Sequence, residues 1–156
     1  MKVLGFRFSI NEIDYAALEG TRSKPVLKNK GIEKSPKKKN YKRSEILNWY
    51  YSKFKEIIGN IKPDFIIYKD LDSQYVGIKD IQRCEIAGVL FLAAIHYDDK
   101  YKTIYGIKTS QIKASLNYRR KLQLFSDLFK GSPVEKELPK SRNLQEAIAC
   151  ALCVLK

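Results

Sequence analysis

The stretch Asp64-Phe-Ile-Ile-Tyr-Lys-Asp70 decides the fold of this chain. Pro63 precedes it, and the residues from Phe65 to Tyr68 are an apolar run of β-branched and aromatic side chains. Because helical patterns lie on both sides, this run predicts a buried central strand of an α/β sheet. Functional sites in open α/β sheets form beyond the carboxyl ends of strands, so Asp70 is predicted to lie at such a site.

The patterns around this strand predict a mixed five-stranded sheet, an antiparallel hairpin followed by alternating strands and helices, flanked by helices. Alternation predicts strands over residues 2–9 and 13–18, an edge strand beginning at 25–27, and a further strand over 102–107. Helical spacing predicts helices over 44–58, 80–96, 111–116 and 143–155, with 117–130 as another helix or a continuation. The helix over 80–96 is expected to be the most buried, and the length of 156 residues predicts a single domain.

Positive charge is concentrated in one segment. The net charge is +13, and the residues from Arg22 to Arg43 include ten basic side chains and one acidic side chain. Few residues between 28 and 43 are apolar, so we expect a mobile basic loop at about residues 22–43. A basic stripe of this kind is typical of nucleic-acid binding, although a solvated lysine-rich loop has the same composition. The candidate phosphate contacts are Lys28, Lys30, Lys37, Lys38, Lys39, Lys42, Arg43, Lys113, Arg119 and Arg120.

Cysteine usage and hydropathy indicate a cytoplasmic protein that does not engage membranes. The three cysteines, Cys84, Cys150 and Cys153, lie in apolar helical patterns, which predicts buried thiols in a reducing compartment. Cys150 and Cys153 have the C-x-x-C spacing, but without a second pair this favours core packing over zinc binding. The longest uncharged apolar run, residues 86–95, is too short to cross a bilayer, and no signal peptide is visible.

Four segments carry a resemblance to a known family. Lys2-Val-Leu-Gly-Phe-Arg-Phe-Ser9 resembles a first strand, and the strand ending at Asp70 resembles one that ends in a catalytic acid. Thr109-Ser-Gln-Ile-Lys113 resembles a short lysine-bearing element, and Leu144-Gln-Glu-Ala-Ile-Ala-Cys-Ala-Leu152 resembles a final helix. Together they resemble the ribonuclease H-like superfamily, and most closely its RuvC-like branch of Holliday-junction resolvases. Within that branch, residues 70–94 are similar to a small bacterial family.

The resemblance implies a carboxylate site for metal-dependent cleavage. Members of the superfamily hold two Mg²⁺ ions about 4 Å apart between acidic side chains, and Mg²⁺ prefers such hard oxygen ligands. Asp70 matches the strand-end acid and Glu146 the helix acid, so both are the implied catalytic residues and metal ligands. The first-strand acid falls on Arg7, which reverses the charge. We therefore expect Arg7 to pair with Asp70 or Glu146, and Mg²⁺ to be a cofactor only if the site is active.

These residues also have simpler interpretations. Glu146 lies three residues after Asn143, which is the spacing of a helix capping box and needs no metal. Asp70 could begin an ordinary loop, and Arg7 could be an ion-paired strand residue. The nearby acids Glu12 and Asp14 have only a minor chance of replacing the lost first-strand acid, because the hairpin turn carries Glu12 away.

Three functions follow from these patterns. The first is a RuvC-like domain whose metal site is degenerate and which binds nucleic acid, DNA in preference to RNA and structured or branched DNA in particular. The second is an active Mg²⁺-dependent endonuclease or junction resolvase that uses Asp70, Glu146 and a third acid. The third is a protein-interaction domain whose basic loop binds an acidic partner. The resemblance also implies a homodimer, since RuvC-like enzymes are often dimers.

Overall fold

The computed structural model describes residues 1–36, 42–72, 77–102, 104–118 and 125–156. Its strands are β1 (Lys2–Phe8), β2 (Glu12–Gly20), β3 (Pro25–Lys34), β4 (Phe65–Lys69) and β5 (Tyr105–Ile107). Its α-helices are α1 (Arg43–Ile61), α2 (Ile78–Tyr97), α3 (Thr109–Ser115) and α4 (Arg142–Val154). Short 3-10 helices span Asp99–Lys102, Phe125–Phe129 and Pro133–Glu137.

The five strands form one mixed sheet in the order β3-β2-β1-β4-β5. The first three strands pair antiparallel, whereas β4 pairs parallel with both β1 and β5. The pairing of β1 with β4 begins with Val3 opposite Phe65 and extends to Phe6 opposite Tyr68. The predicted fold class is confirmed, as are the interior position of β4 and the edge position of β3.

The two faces of the sheet carry separate cores. Leu4, Phe6 and Phe8 of β1 pack with buried residues of α1 and α2 on one face. Val3 belongs to the other core, which is built mainly on α4. Because side chains alternate along a strand, Arg7 points to the same face as Val3 and therefore towards α4.

Helix α4 is the most deeply packed helix, which corrects the expectation for α2. Nine of its 13 residues are buried, against four of 20 in α2. It can lie this close to the sheet because it crosses β1 at Gly5, where a Cβ atom would come within 2.1 Å of the Ala147 carbonyl oxygen. Helix α2 instead leaves Ile78, Ile81 and Leu92 exposed. Cys84 on α2 is also exposed, so the predicted burial holds only for Cys150 and Cys153.

The segment predicted as a basic loop, about residues 22–43, contains strand β3 over Pro25–Lys34, and its residues 37–41 lie outside the described residues. Strand β3 continues to Lys34, although of its ten residues only Pro25 is buried. Main-chain hydrogen bonds to β2 hold this strand in place. Its lack of apolar side chains therefore did not indicate a loop. Gly31 makes room for a neighbour, because a Cβ there would lie 2.5 Å from the Tyr15 hydroxyl.

Several helix ends differ from the predicted positions. Helix α1 continues past Gly59 because Ile61 is buried, and it ends where Lys62 adopts a left-handed conformation. It begins at Arg43, with Lys42 as its N-cap residue, and the Lys42 N–H donates to the Glu45 carboxylate at 2.7 Å. Helix α3 ends at Ser115 before Asn117, which has a φ of 54°, so it does not continue as a long helix.

No helix in the described ranges is long and apolar enough to cross a membrane. This agrees with the shortness of the apolar run at residues 86–95.

Candidate functional site

A cleft of about 450 Å³ opens at the carboxyl ends of β1 and β4. Arg7 is the penultimate residue of β1, Asp70 directly follows β4, and Glu146 lies in the second turn of α4. All three line this cleft, so the fold brings together the residues that the resemblance singled out. The other lining residues are Lys69, Leu71, Asp72, Asp80, Arg83, Arg142 and Asn143.

Arg7 and Glu146 form the ion pair expected between a guanidinium and a site acid. Arg7 Nε donates to Glu146 Oε2 at 2.7 Å, and the side chains are only 17% and 8% exposed. Arg7 also donates to the Phe8 carbonyl oxygen. The second carboxylate oxygen of Glu146 accepts a bond from Arg142 Nε at 3.2 Å. Both oxygens of this acid are therefore occupied by arginines.

The capping-box interpretation of Glu146 is wrong. The N-cap residue of α4 is Ser141, whose hydroxyl accepts a hydrogen bond from the Leu144 N–H. Asn143 instead donates to Glu12 Oε1 at 2.9 Å, which ties the start of α4 to the start of β2. Glu146 is held in the cleft by ion pairing and not by a role at the helix end.

Asp70 is held by main-chain contacts and not by Arg7. Its N–H donates to the Ile107 carbonyl oxygen at 3.0 Å, and its Oδ1 accepts a bond from the Leu71 N–H at 2.8 Å. Within the described ranges, no basic side chain forms a salt bridge with it. The other oxygen of this carboxylate accepts no hydrogen bond from the residues that the structure describes.

The neighbouring Lys69 fixes the end of β4. Its side chain is 3% exposed, and its Nζ donates to the Asp70 carbonyl oxygen at 2.6 Å and to Asp72 Oδ2 at 2.9 Å. Asp72 also accepts bonds from the N–H and the hydroxyl of Thr109, at 2.7 and 2.6 Å. Burial raises the pKa of Asp72, but the bonds from Thr109 and Lys69 outweigh it and leave the pKa lowered. These bonds connect the end of β4 to the start of α3.

Asp14 adds a buried acid behind the ion pair. It is the cross-strand partner of Arg7 in the β1–β2 register and is fully buried. Neither of its carboxyl oxygens has a hydrogen-bond partner among the described residues. Burial, with help from Glu12, raises its pKa from 3.8 to about 7, and Arg7 offsets this only in part. Asp14 is therefore protonated in a large fraction of molecules near neutral pH and is mostly protonated only about one pH unit lower.

Arg83 of α2 brings a further guanidinium to the cleft. Its Nη2 donates weakly to the Lys69 carbonyl oxygen at 3.4 Å, and its buried Nε has no acceptor in the described part of the chain. Burial and the nearby Arg7 lower the pKa of Arg83.

The side chains of the cleft differ from the acidic donor set that the resemblance implies for two Mg²⁺ ions. Four basic and four acidic side chains line the cleft, so it has no excess of negative charge. Glu146 already accepts hydrogen bonds from two arginines. Among the residues in the described ranges, no group of three or more acidic, histidine or cysteine side chains is placed to hold a metal ion. Arg7, which the resemblance aligns with a metal-bridging acid, brings a positive charge to this cleft.

The predicted phosphate-contacting residues are dispersed. Lys28 and Lys30 are exposed on β3, where Lys28 lies 3.6 Å from Glu19 and Lys30 donates to the Glu137 carbonyl oxygen. Lys42 is exposed, whereas Arg43 is paired with Glu85. Lys113 lies on α3 and is partly buried. The remaining candidates, Lys37, Lys38, Lys39, Arg119 and Arg120, lie outside the described residues.

Sequence reasoning missed three basic residues of the cleft. Lys69 adjoins Asp70 in sequence, and Arg142 precedes Glu146 by four residues, which places both on one face of a helix. Those two spacings were available signals. Arg83 gave none, because only the packing of α2 beside β4 brings it to the cleft.

Comparison with known proteins identifies the fold. No family model matches the sequence, and no curated protein matches it either. A structure of Thermus thermophilus RuvC matches with a TM-score of 0.80 at 18% identity, covering 98% of this chain and 92% of that one. T. thermophilus RuvC in complex with a Holliday junction substrate matches with a TM-score of 0.77 at 17% identity, covering 98% and 91%. The yeast mitochondrial Holliday junction resolvase Ydc2 matches with a TM-score of 0.65 at 14% identity, covering 97% and 76%. The fold is RuvC-like and ribonuclease H-like.

Proposed function

We propose that this chain is a single RuvC-like domain that binds nucleic acid, with branched DNA as the preferred form, and that it has lost metal-dependent cleavage. The observation that carries the proposal is the Arg7–Glu146 ion pair in the cleft. A guanidinium stays charged at any working pH, so it repels divalent cations and attracts phosphate.

The charge of the chain supports a polyanionic ligand. The net charge of +13 gives a long-range attraction for phosphate backbones. One of the structural neighbours, T. thermophilus RuvC, is in complex with a Holliday junction substrate. Applied to this chain, it favours branched DNA as the first ligand to test.

The test measures binding of the full chain to a synthetic four-way junction and to linear duplex at several salt concentrations. We expect tighter binding to the junction, and a fall in log K of about 0.9 per neutralised phosphate for each unit rise in log salt. Replacing Lys37, Lys38 and Lys39 by alanine should weaken binding to all DNA alike and reduce that slope.

A matched control is the replacement of Lys53 by alanine. Lys53 lies on α1 and is already paired with Glu56 at 2.7 Å and Glu33 at 3.7 Å, so its loss should leave DNA affinity nearly unchanged. Equal affinity for junction and linear duplex would refute the preference for branched DNA. An absence of DNA binding at low salt, with capture of an acidic protein instead, would favour the protein-interaction hypothesis.

A homodimer remains part of the proposal, supported by α2. Ile78, Ile81, Leu92 and Ile95 are exposed, and their spacing places them along one side of the helix. A second copy would remove this apolar strip from water. Sedimentation of wild type and Leu92→Glu tests it: a wild-type monomer at micromolar concentration would refute the dimer.

A further inference from the structure

A second cavity adjoins the cleft and is not used by the function proposed so far. Its volume is about 240 Å³, just below the range of about 300–1,000 Å³ of drug-sized ligand sites, so it suits one small planar group. It shares Lys69, Asp70, Leu71 and Arg83 with the cleft. The cavity is therefore the inner part of a continuous depression, with charged residues at the boundary between the two parts.

Aromatic side chains form the walls of this cavity. Phe8 and Tyr68 stack with ring centroids 5.5 Å apart and an interplanar angle of 27°. Phe91 of α2 meets Tyr68 edge-on, with centroids 6.1 Å apart. Phe8 is buried, whereas Tyr68 and Phe91 are partly exposed, so their rings present surface to an incoming group. Rings placed in this way stack nucleobases.

Small residues of α2 leave room for a ligand beside these rings. Gly88 lines the cavity, and a Cβ atom built on it would meet nothing within 4 Å. Cys84, one helical turn earlier, also lines the cavity and carries an exposed free thiol.

The boundary residues offer both kinds of hydrogen-bonding group that a nucleotide needs. Asp70 has one carboxylate oxygen without a salt-bridge partner among the described residues, and such an oxygen accepts from the exocyclic amino group of a base. Arg83 lines both the cavity and the cleft, and guanidinium groups bind phosphate. An acceptor and a phosphate-binding donor thus lie at the same boundary.

From these observations we propose that the aromatic cavity receives an unpaired nucleobase that carries an amino group, with Asp70 as its hydrogen-bond acceptor and Arg83 as the contact to its phosphate. This inference rests on the proposed function and adds to it, because it assigns Asp70 to base recognition and not to metal binding. Cytosine and adenine fit this acceptor, whereas thymine offers a carbonyl oxygen at the equivalent position of its edge.

The experiment uses Cys84 as a reporter in the wild-type chain. Cys150 and Cys153 are buried, and burial raises the pKa of Cys153 to about 11, so a thiosulfonate reagent should modify Cys84 selectively. The rate of Cys84 modification is measured for the free chain and for the chain saturated with a four-way junction that carries one unpaired nucleotide at the branch. That nucleotide is cytosine, thymine or an abasic residue, and direct binding is measured for each junction.

We expect the cytosine junction to slow the modification of Cys84 about tenfold more than the thymine junction, and the abasic junction to bind without protecting Cys84. Asp70→Asn should bind junctions with unchanged salt dependence but lose the difference between cytosine and thymine, because an amide both donates and accepts. Cys84→Ser treated with the reagent is the control for modification elsewhere.

Each failure points to a different conclusion. Junction binding with equal Cys84 reactivity in the free and bound chain would overturn the base cavity and leave the proposed function standing. Equal protection by the cytosine and abasic junctions would show coverage by the DNA backbone and would also overturn it. If no junction binds at low salt, the proposed function fails, and this inference fails with it.

Discussion

Replacing Arg7 by alanine removes the guanidinium that holds Glu146 in the cleft. The two side chains are 17% and 8% exposed, so they form a nearly buried pair. Removing one partner of such a pair costs roughly 3–5 kcal/mol, because the other charge stays buried without compensation. Arg142 remains beside Glu146, but it is 73% exposed and contributes about 0–1 kcal/mol. We therefore expect Arg7→Ala to lower the free energy of unfolding by about 3 kcal/mol.

Urea denaturation at pH 6 measures this loss, since Asp14 is then mostly protonated and adds little charge of its own. In a thermal scan the same change should lower Tm by roughly 6–12 °C for a chain of this length. Arg142→Ala is the matched control and should cost no more than about 1 kcal/mol. A double replacement, Arg7→Met with Glu146→Leu, should recover most of the loss. An Arg7→Ala chain within about 1 kcal/mol of wild type would refute the reasoning.

Two further predictions concern Asp14 and Gly5. Folding raises the pKa of Asp14 from 3.8 to about 7, so the folded chain binds this proton more tightly than the unfolded chain does. The free energy of unfolding should therefore fall as the pH rises from 3.8 to about 7. Asp14→Asn should remove this fall and be more stable than wild type at pH 8, by up to about 4 kcal/mol; identical pH profiles would contradict the assignment. Gly5→Ala should destabilise the chain by roughly 3 kcal/mol or more, since the new Cβ would lie 2.1 Å from the Ala147 carbonyl oxygen. Gly88→Ala is the control and should not destabilise the chain, because a Cβ there meets open space. Equal melting temperatures for these two variants would show that α4 does not rest on Gly5.

In the parts of the fold that were predictable, the buried side chains follow one another in the sequence at the spacing of a strand or a helix. The apolar run from Phe65 to Tyr68 gave β4 its position, and the helical spacing of Leu144, Ile148 and Leu152 gave α4. Strand β3 was missed beyond its first residues because main-chain pairing holds it and few of its side chains are buried. Patterns of side-chain hydrophobicity carry no signal for that kind of strand.

The site was predictable only where the family pattern supplied a position. The pattern placed Arg7, Asp70 and Glu146, and the structure brings them to one cleft. The number of hydrogen bonds that Glu146 accepts depends on tertiary packing, as does the burial of Asp14 opposite Arg7. The aromatic cavity combines residues from β1, β4 and α2, so no local spacing in the sequence could indicate it.

Cleavage of a labelled four-way junction by the wild-type chain, in Mg²⁺ and in Mn²⁺, decides whether the Arg7–Glu146 pair has replaced a metal site. The assay is run at protein concentrations that saturate binding, with Asp70→Asn and Glu146→Gln as controls. We predict that the junction is bound but not cut, and that both variants behave like wild type in the cleavage assay. Cutting by wild type that disappears in Asp70→Asn would contradict the proposed loss of cleavage and establish an active metal-dependent nuclease.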